Sequence, residues 1–301
     1  MKCISLKIAV NAALIFILCG CAQSASRQQS GSRQNSPPAM GDVNSHRVVD
    51  STGTGCIPQN LSADSGQTGK AVACLEKSLV RNEGARGTIL AELARLFLTV
   101  GETAKKHERL AWYEKGRHYA ELLCREEPKR VEGYYWLALN LCGICEHSRA
   151  GKALSMLPAI VENLELALAI DESYDQGGPL RVLGRIRYEA PSWPLSEGDL
   201  KESLNLLRIA ARIAPFNSTN HLYLAETLIQ LGEAEEACTE LDRARESKFH
   251  ASSPNGLEED QAQAVALMAN CTSTPGRSAP EHGESFARVV KETAKMALPN
   301  H

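Results

Sequence analysis

An all-α fold of stacked helical hairpins is what this sequence predicts, and three observations carry the prediction. Beyond residue 68, apolar residues recur at three- and four-residue spacing, the signature of helices with one buried stripe. No run alternates with the period of two that a half-buried strand requires. Leu and Ala dominate while aromatics make up only 5% of the chain, a composition that packs helix on helix more readily than sheet on sheet.

Helices are expected at 68–82, 87–101, 106–126, 131–145, 149–170, 178–189, 198–214, 218–231, 233–246, 257–271 and 284–297. The breaks between them have chemical causes. Pro128, Pro215 and Pro254 cannot continue a helix, and Gly101 and Gly232 can take the left-handed conformation that ends one.

Ahead of the helices the chain has a different character. Lys2 and Lys7 precede an apolar run, Ile8 to Leu18, that is too short to span a bilayer and reads as an export signal. The run closes on Leu18-Cys19-Gly20-Cys21, a lipobox-like tetrapeptide, so residues 1–20 are expected to be removed and Cys21 to become a lipidated first residue. Ordinary cleavage within Ala22-Gln23-Ser24-Ala25 is the alternative. Several acyl tails exceed the two signals that stable anchoring needs, so the chain would be tethered to a membrane without spanning it. Ala22, in place of an Asp, favours the outer membrane, with the body on the periplasmic side of the cell envelope. Residues 21–66 are rich in Ser, Gln, Gly, Asn and Pro and read as a disordered linker with a reach of about 35–40 Å. Residues 67–272 form the solenoid, and 273–301 a tail with one short helix.

Charge and cysteine usage narrow the function classes. The chain carries 33 Lys and Arg against 36 Asp and Glu, and the signal takes two of the lysines with it. A mildly acidic body without a basic block excludes nucleic acid as the expected partner. Of ten cysteines, seven belong to the exported body, an odd number that leaves at least one thiol unpaired within a chain. Cys56 and Cys74 bracket Ser/Gly-rich sequence where a bridge would staple the first helix, and the rest read as small buried apolar groups within helices. Cys142-Gly143-Ile144-Cys145 follows an apolar helix instead of opening one, which argues against a thiol exchanger. Glu146 stands where haem attachment needs His, and no fourth ligand completes a metal site with Cys142, Cys145 and His147. No catalytic arrangement, metal site or cofactor motif stands out, so no enzyme activity is expected.

The repeat pattern decides the architecture. Ala225, Ala237 and Ala244 recur at intervals of twelve and seven with Gly232 at the turn, the spacing of a tetratricopeptide hairpin whose small residues let two helices approach closely. Ser203, Ala210 and Pro215 close the preceding unit, whose first helix carries Gly184 and whose hairpin loop holds seven extra residues, Ala190 to Ser196. Ala138 pairs with Ile160 and Ala167, and Ala94 with Gly116, Leu123 and Pro128, in longer-loop variants. About four divergent hairpins with capping helices therefore form a tetratricopeptide-type solenoid, stabilised by neighbour stacking.

The wording of several segments carries a resemblance. GYYWLALNL (Gly133 to Leu141), GGPLRVLGRI (Gly177 to Ile186), APSWPLSEGD (Ala190 to Asp199) and NHLYLAETL (Asn220 to Leu228) resemble the T-component lipoproteins of tripartite ATP-independent periplasmic (TRAP) transporters. The resemblance runs from about Gly87 to Arg245. It implies a periplasmic, self-associating tetratricopeptide body that docks a solute-binding protein and holds an apolar ligand. A scaffold for another envelope or secretion protein, with no small ligand, is the rival reading.

First helices of stacked hairpins line a concave face. Counted from the small contact residues, groove candidates are Arg95 and Leu98, then Tyr135, Leu139 and Cys142, then Arg181, Arg185 and Tyr188, then Leu222, Glu226 and Ile229. Arg181 and Arg185 lie one turn apart and suit a carboxylate, although Arg185 and Glu189 are also spaced as an ordinary ion pair. Trp193, between Pro191 and Pro194, is either a docking anchor or a lid on the core.

Overall fold

The computed structural model describes residues 53–57, 65–192, 196–248 and 256–268. Ten helices follow one another in them: α1 Ser65–Arg81, α2 Arg86–Thr103, α3 Arg109–Glu126, α4 Val131–Glu146, α5 Ala150–Ile170, α6 Tyr174–Glu189, α7 Leu200–Ile213, α8 Ser218–Leu231, α9 Ala234–Glu246 and α10 Gly256–Met268. They pair as antiparallel hairpins α2/α3, α4/α5, α6/α7 and α8/α9, and the first helices α2, α4, α6 and α8 also touch in succession. α1 caps one end and α10 packs on α8 and α9 at the other. This is the tetratricopeptide solenoid that the spacing predicts. The segments at 284–297, Pro254, Trp193 and Cys21 lie outside the described residues.

The small residues sit where the hairpins close. Ala94, Ala138, Ile160, Ala167, Ala225, Ala237 and Ala244 are all essentially sealed from solvent. Where the third hairpin has Gly184, a Cβ would lie 2.6 Å from Leu207 Cγ, so the two helices meet over bare backbone. Ser203 Oγ uses that closeness to donate to the Gly184 carbonyl at 2.8 Å. Gly116 serves a similar purpose between hairpins. Its missing side chain leaves room for the fully buried Asn140, whose Nδ2 donates to Ala94 O (3.1 Å) and Trp136 O (2.8 Å) and so links α4 to α2.

Capping chemistry sets the helix ends. Asp199 accepts from the Lys201 and Glu202 amides and Asn217 from the Asn220 amide, which moves the start of α7 to Leu200. Gly232 takes φ 82° at the end of α8, as expected of a left-handed cap. Gly101 does not. It lies within α2, which runs on to Thr103, and its role is steric: a Cβ there would fall 2.4 Å from the Tyr113 ring. The inserted loop after α6 closes on itself through Gly198 N to Pro191 O at 2.9 Å. Arg187 ties it down, reaching Glu197 at 2.6 Å and Glu202 at 2.9 Å.

α5 is apolar and long enough to cross a membrane by composition. Its stripe of Ala153, Leu157, Ile160, Val161, Leu164 and Ala167 is instead spent on the core with α4. At the N-terminal end, Cys56 is bridged to Cys74, closing a loop of 18 residues and bringing Cys56 and Ile57 into the core with Val72, Leu75, Leu93 and Phe97. Exchanging both cysteines for serine is expected to cost about 3 kcal/mol in a denaturant melt, from the chain entropy regained by the unfolded state.

Candidate functional site

The first helices place the expected groove residues at equivalent register but close them off. Tyr135, Leu139, Arg181, Arg185, Leu222 and Glu226 are all buried, as are Leu98 and Cys142, and Tyr188 is half-buried. Ile229 is exposed, and Arg95 pairs with Glu92 of its own helix at 2.7 Å. The expectation of an open wall of side chains is therefore corrected to a buried polar seam that runs from α4 across α6 to α8. The physical reason is that neighbouring repeats supply complementary groups at matching positions, so the side chains pair with one another.

Arg185 is the centre of one half of the seam. Its guanidinium pairs with Glu189 one turn along α6 at 2.5 Å and with Glu226 of α8. It stacks on Tyr223 with 4.4 Å to the ring centre and on Tyr188 at 5.0 Å. Gln263 of α10 donates to the other oxygen of Glu226 at 2.7 Å, so the terminal helix is fastened to the same group. Burial disfavours the Arg185 charge, but Glu226 and Glu189 outweigh it and hold its pKa above the ordinary value. The Arg185–Glu189 pair is indeed present, but as a buried pair and not as a solvated one.

Arg181 organises the other half. Tyr135 Oη donates to Asp175 Oδ2 at 2.5 Å, and Arg181 reaches the same oxygen at 2.8 Å and Asn220 Oδ1 at 3.2 Å. Asn220 passes the connection on, donating to Gln176 O at 3.1 Å and Ala210 O at 2.9 Å. These bonds hold an unusual run: Asp175, Gln176 and Gly177 take φ of 49°, 59° and 78°, so the regular part of α6 begins at Gly178. Two consecutive non-glycine residues in the left-handed region are costly, and the surrounding network over-determines them.

Near the α2 and α4 C-termini lies a third polar group. Burial pushes the Glu102 carboxyl up to about 7 and the Glu146 carboxyl up to about 8, against the opposing influence of Arg109. A raised carboxyl pKa means that the folded state holds a proton the unfolded chain releases, so stability falls as pH rises from about 4.5 to about 8. Denaturant melts across this range are expected to show that decline, and Glu146→Gln is expected to flatten part of it.

Burial also pushes the Cys124 and Cys145 thiols up to about 11, which removes the thiolate that a disulfide exchanger needs. Cys238 is disulfide-bonded, and this corrects the expectation that it is a small buried apolar group. Among the described residues no three His, Cys, Asp or Glu side chains are grouped to hold a metal.

Sequence reasoning named Tyr135, Arg181, Arg185 and Glu226 but missed their partners Asp175, Asn220, Tyr223 and Gln263. A usable signal existed: Arg185 and Glu226 each follow the small contact residue of their helix by one position, so adjacent repeats place them side by side.

Hairpin order, contact residues and seam together define a tetratricopeptide-type helical solenoid. A solved tetratricopeptide protein of Thermus thermophilus, TTC0263, shares the fold with a TM-score of 0.50 at 19% identity, over 67% of this chain and 92% of that one. Yeast Tom70 aligns with a TM-score of 0.30 at 12% identity, over 76% of this chain and 63% of its own. The family model described as regulator of microtubule dynamics protein 1-3 matches residues 59–270, and the chain belongs to that family. No curated protein sequence matches it.

Proposed function

We propose that this chain is a lipid-anchored adaptor. Cys21 holds it to the membrane, the chain between Cys21 and the Cys56–Cys74 bridge spaces the body from the headgroups, and the solenoid binds a partner protein on the periplasmic side. The observation that carries the reading is the side-by-side stacking of four hairpins, which makes an extended helical solenoid of the kind that presents long faces to other proteins. The partner of first choice is the solute-binding component of a TRAP-type uptake system, on the strength of the segments that resemble T components. In that role the chain also self-associates and receives an apolar ligand. The family description speaks of regulating microtubule dynamics; what it lends to this proposal is a regulatory role.

A specific observation favours the rival reading of an envelope scaffold without a small ligand. Tyr135 is tied to Arg181 and Arg185 to Glu226, and all four are buried, leaving that stretch of the seam closed. Affinity purification of the full chain from native membranes in mild detergent tests both. Recovery of a solute-binding protein with an apolar molecule retained in native mass spectrometry supports the transporter role. Recovery of an envelope protein without such a molecule supports the scaffold, and recovery of no protein partner overturns both. Separately, Cys21→Ser is expected to release the chain from the membrane fraction; retention there refutes the anchor.

A further inference from the structure

We infer that the cleft between α7 and α9 is a docking site for an extended acidic segment of a partner protein. The inference rests on the reading of the chain as a partner-binding module and adds a second surface, built mainly by the second helices of the last two hairpins with His221 and Leu224 of α8 also among its lining residues. The cleft has a volume of about 880 Å³, with Ile209 and Leu224 among its lining residues and three guanidiniums, Arg208, Arg212 and Arg243, around it.

Charge is unevenly spent there. Arg208 crosses from α7 to Glu236 of α9 with two bonds, 2.6 and 3.2 Å. Glu240 is held from both sides, by Arg243 at 2.5 Å and by His221 Nδ1 at 2.7 Å. Both carboxylates of the cleft are therefore compensated, while exposed Arg212 has no acid partner among the described residues. An excess of positive charge thus sits in a cleft of a protein whose net charge is −3. Carboxylates are the chemistry that guanidiniums recognise with paired hydrogen bonds.

Spacing selects the form of the ligand. Arg208 and Arg212 are four residues apart on α7, which puts their Cβ atoms about 6 Å apart on one face. Side chains on one face of an extended chain, two residues apart, repeat every 6–7 Å or so. Acidic residues at alternate positions of an extended segment therefore stand in register with the two arginines, one meeting Arg212 and the next meeting Nη1 of Arg208, since only Nε and Nη2 of Arg208 are used on Glu236. Ile209 and Leu224 supply the apolar part of the lining.

The test uses the full chain in detergent and a rhodamine-labelled octapeptide of alternating Glu and Ser, with the Lys/Ser octapeptide as its control, read by fluorescence anisotropy. The Glu/Ser peptide is expected to bind in preference to the Lys/Ser peptide and more weakly as salt rises. Arg212→Glu is expected to weaken it about tenfold, the loss of one charge-assisted contact and its replacement by repulsion. Lys129→Glu makes the same charge change on the exposed α3–α4 turn and is expected to leave binding unchanged. Equal weakening by both variants, or no preference for the acidic peptide, overturns the inference. Co-purification separates this from the adaptor reading: a native partner recovered equally by the wild type and Arg212→Glu sinks the cleft alone, whereas none recovered with the wild type sinks the adaptor.

Discussion

Arg185→Met is expected to destabilise the body by about 3–5 kcal/mol at neutral pH, because it removes the cation from between two buried carboxylates while leaving both in place. Met keeps much of the apolar stem between Tyr188 and Tyr223, so the loss reports mainly on charge. The deficit carries a sign with pH. Without the guanidinium, buried Glu189 and Glu226 favour their protonated forms, so the variant's folded state takes up protons and its deficit shrinks as pH falls and grows as pH rises. Adding Glu226→Gln to Arg185→Met is expected to restore a substantial part of the loss, and the double-mutant cycle isolates the coupling across α6 and α8. Urea melts at pH 5 and 8 make the measurement. A loss below about 1 kcal/mol that does not change with pH would mean that the seam is solvated in the folded state.

That seam marks where the sequence stopped being legible. Hairpins were readable because helix pairing leaves a pattern of small residues: Ala225, Ala237 and Ala244 define the last unit by spacing alone, and Gly232 announces its turn with a backbone only glycine adopts easily. Burial of the site was not readable, because periodicity says which face of a helix looks inward and not what covers it. Arg181 and Arg185 were placed on the correct face, yet whether that face was open depended on Asn220, Glu226 and Tyr223, 39 to 41 residues away along the chain in the first two cases. The left-handed run at Asp175 and Gln176 was invisible for a related reason. Neither residue type demands that backbone; the tertiary bonds from Tyr135, Arg181 and Asn217 impose it. Gly101 shows the converse error. A glycine near a helix end suggested a cap, but what the site needs is absence of a Cβ, a property of the neighbouring helix and not of the local sequence.

The same junction supports the second large effect: Tyr113→Ala is expected to cost about 3–5 kcal/mol, the range for emptying a buried aromatic site. Tyr113 on α3 is only 2% exposed, and its ring lies between two glycines, Gly101 of α2 and Gly143 of α4. A Cβ would stand 2.4 Å from the ring at Gly101 and 2.7 Å at Gly143, so the ring occupies space that both helices leave for it. The ring therefore joins the first hairpin to the second, and removing it opens a void at the point where repeat stacking has to propagate. Gly101→Val in the wild type is expected to destabilise as well, by about 1–3 kcal/mol, through overpacking against the same ring. Combining Gly101→Val with Tyr113→Ala distinguishes packing from any other role of the tyrosine. The added valine enters the vacated space, so the pair is expected to be more stable than Tyr113→Ala alone, a non-additivity that thermal and urea melts both read. Additive losses, or a loss below about 1 kcal/mol for Tyr113→Ala, would show that the ring is not what spaces α2 from α4.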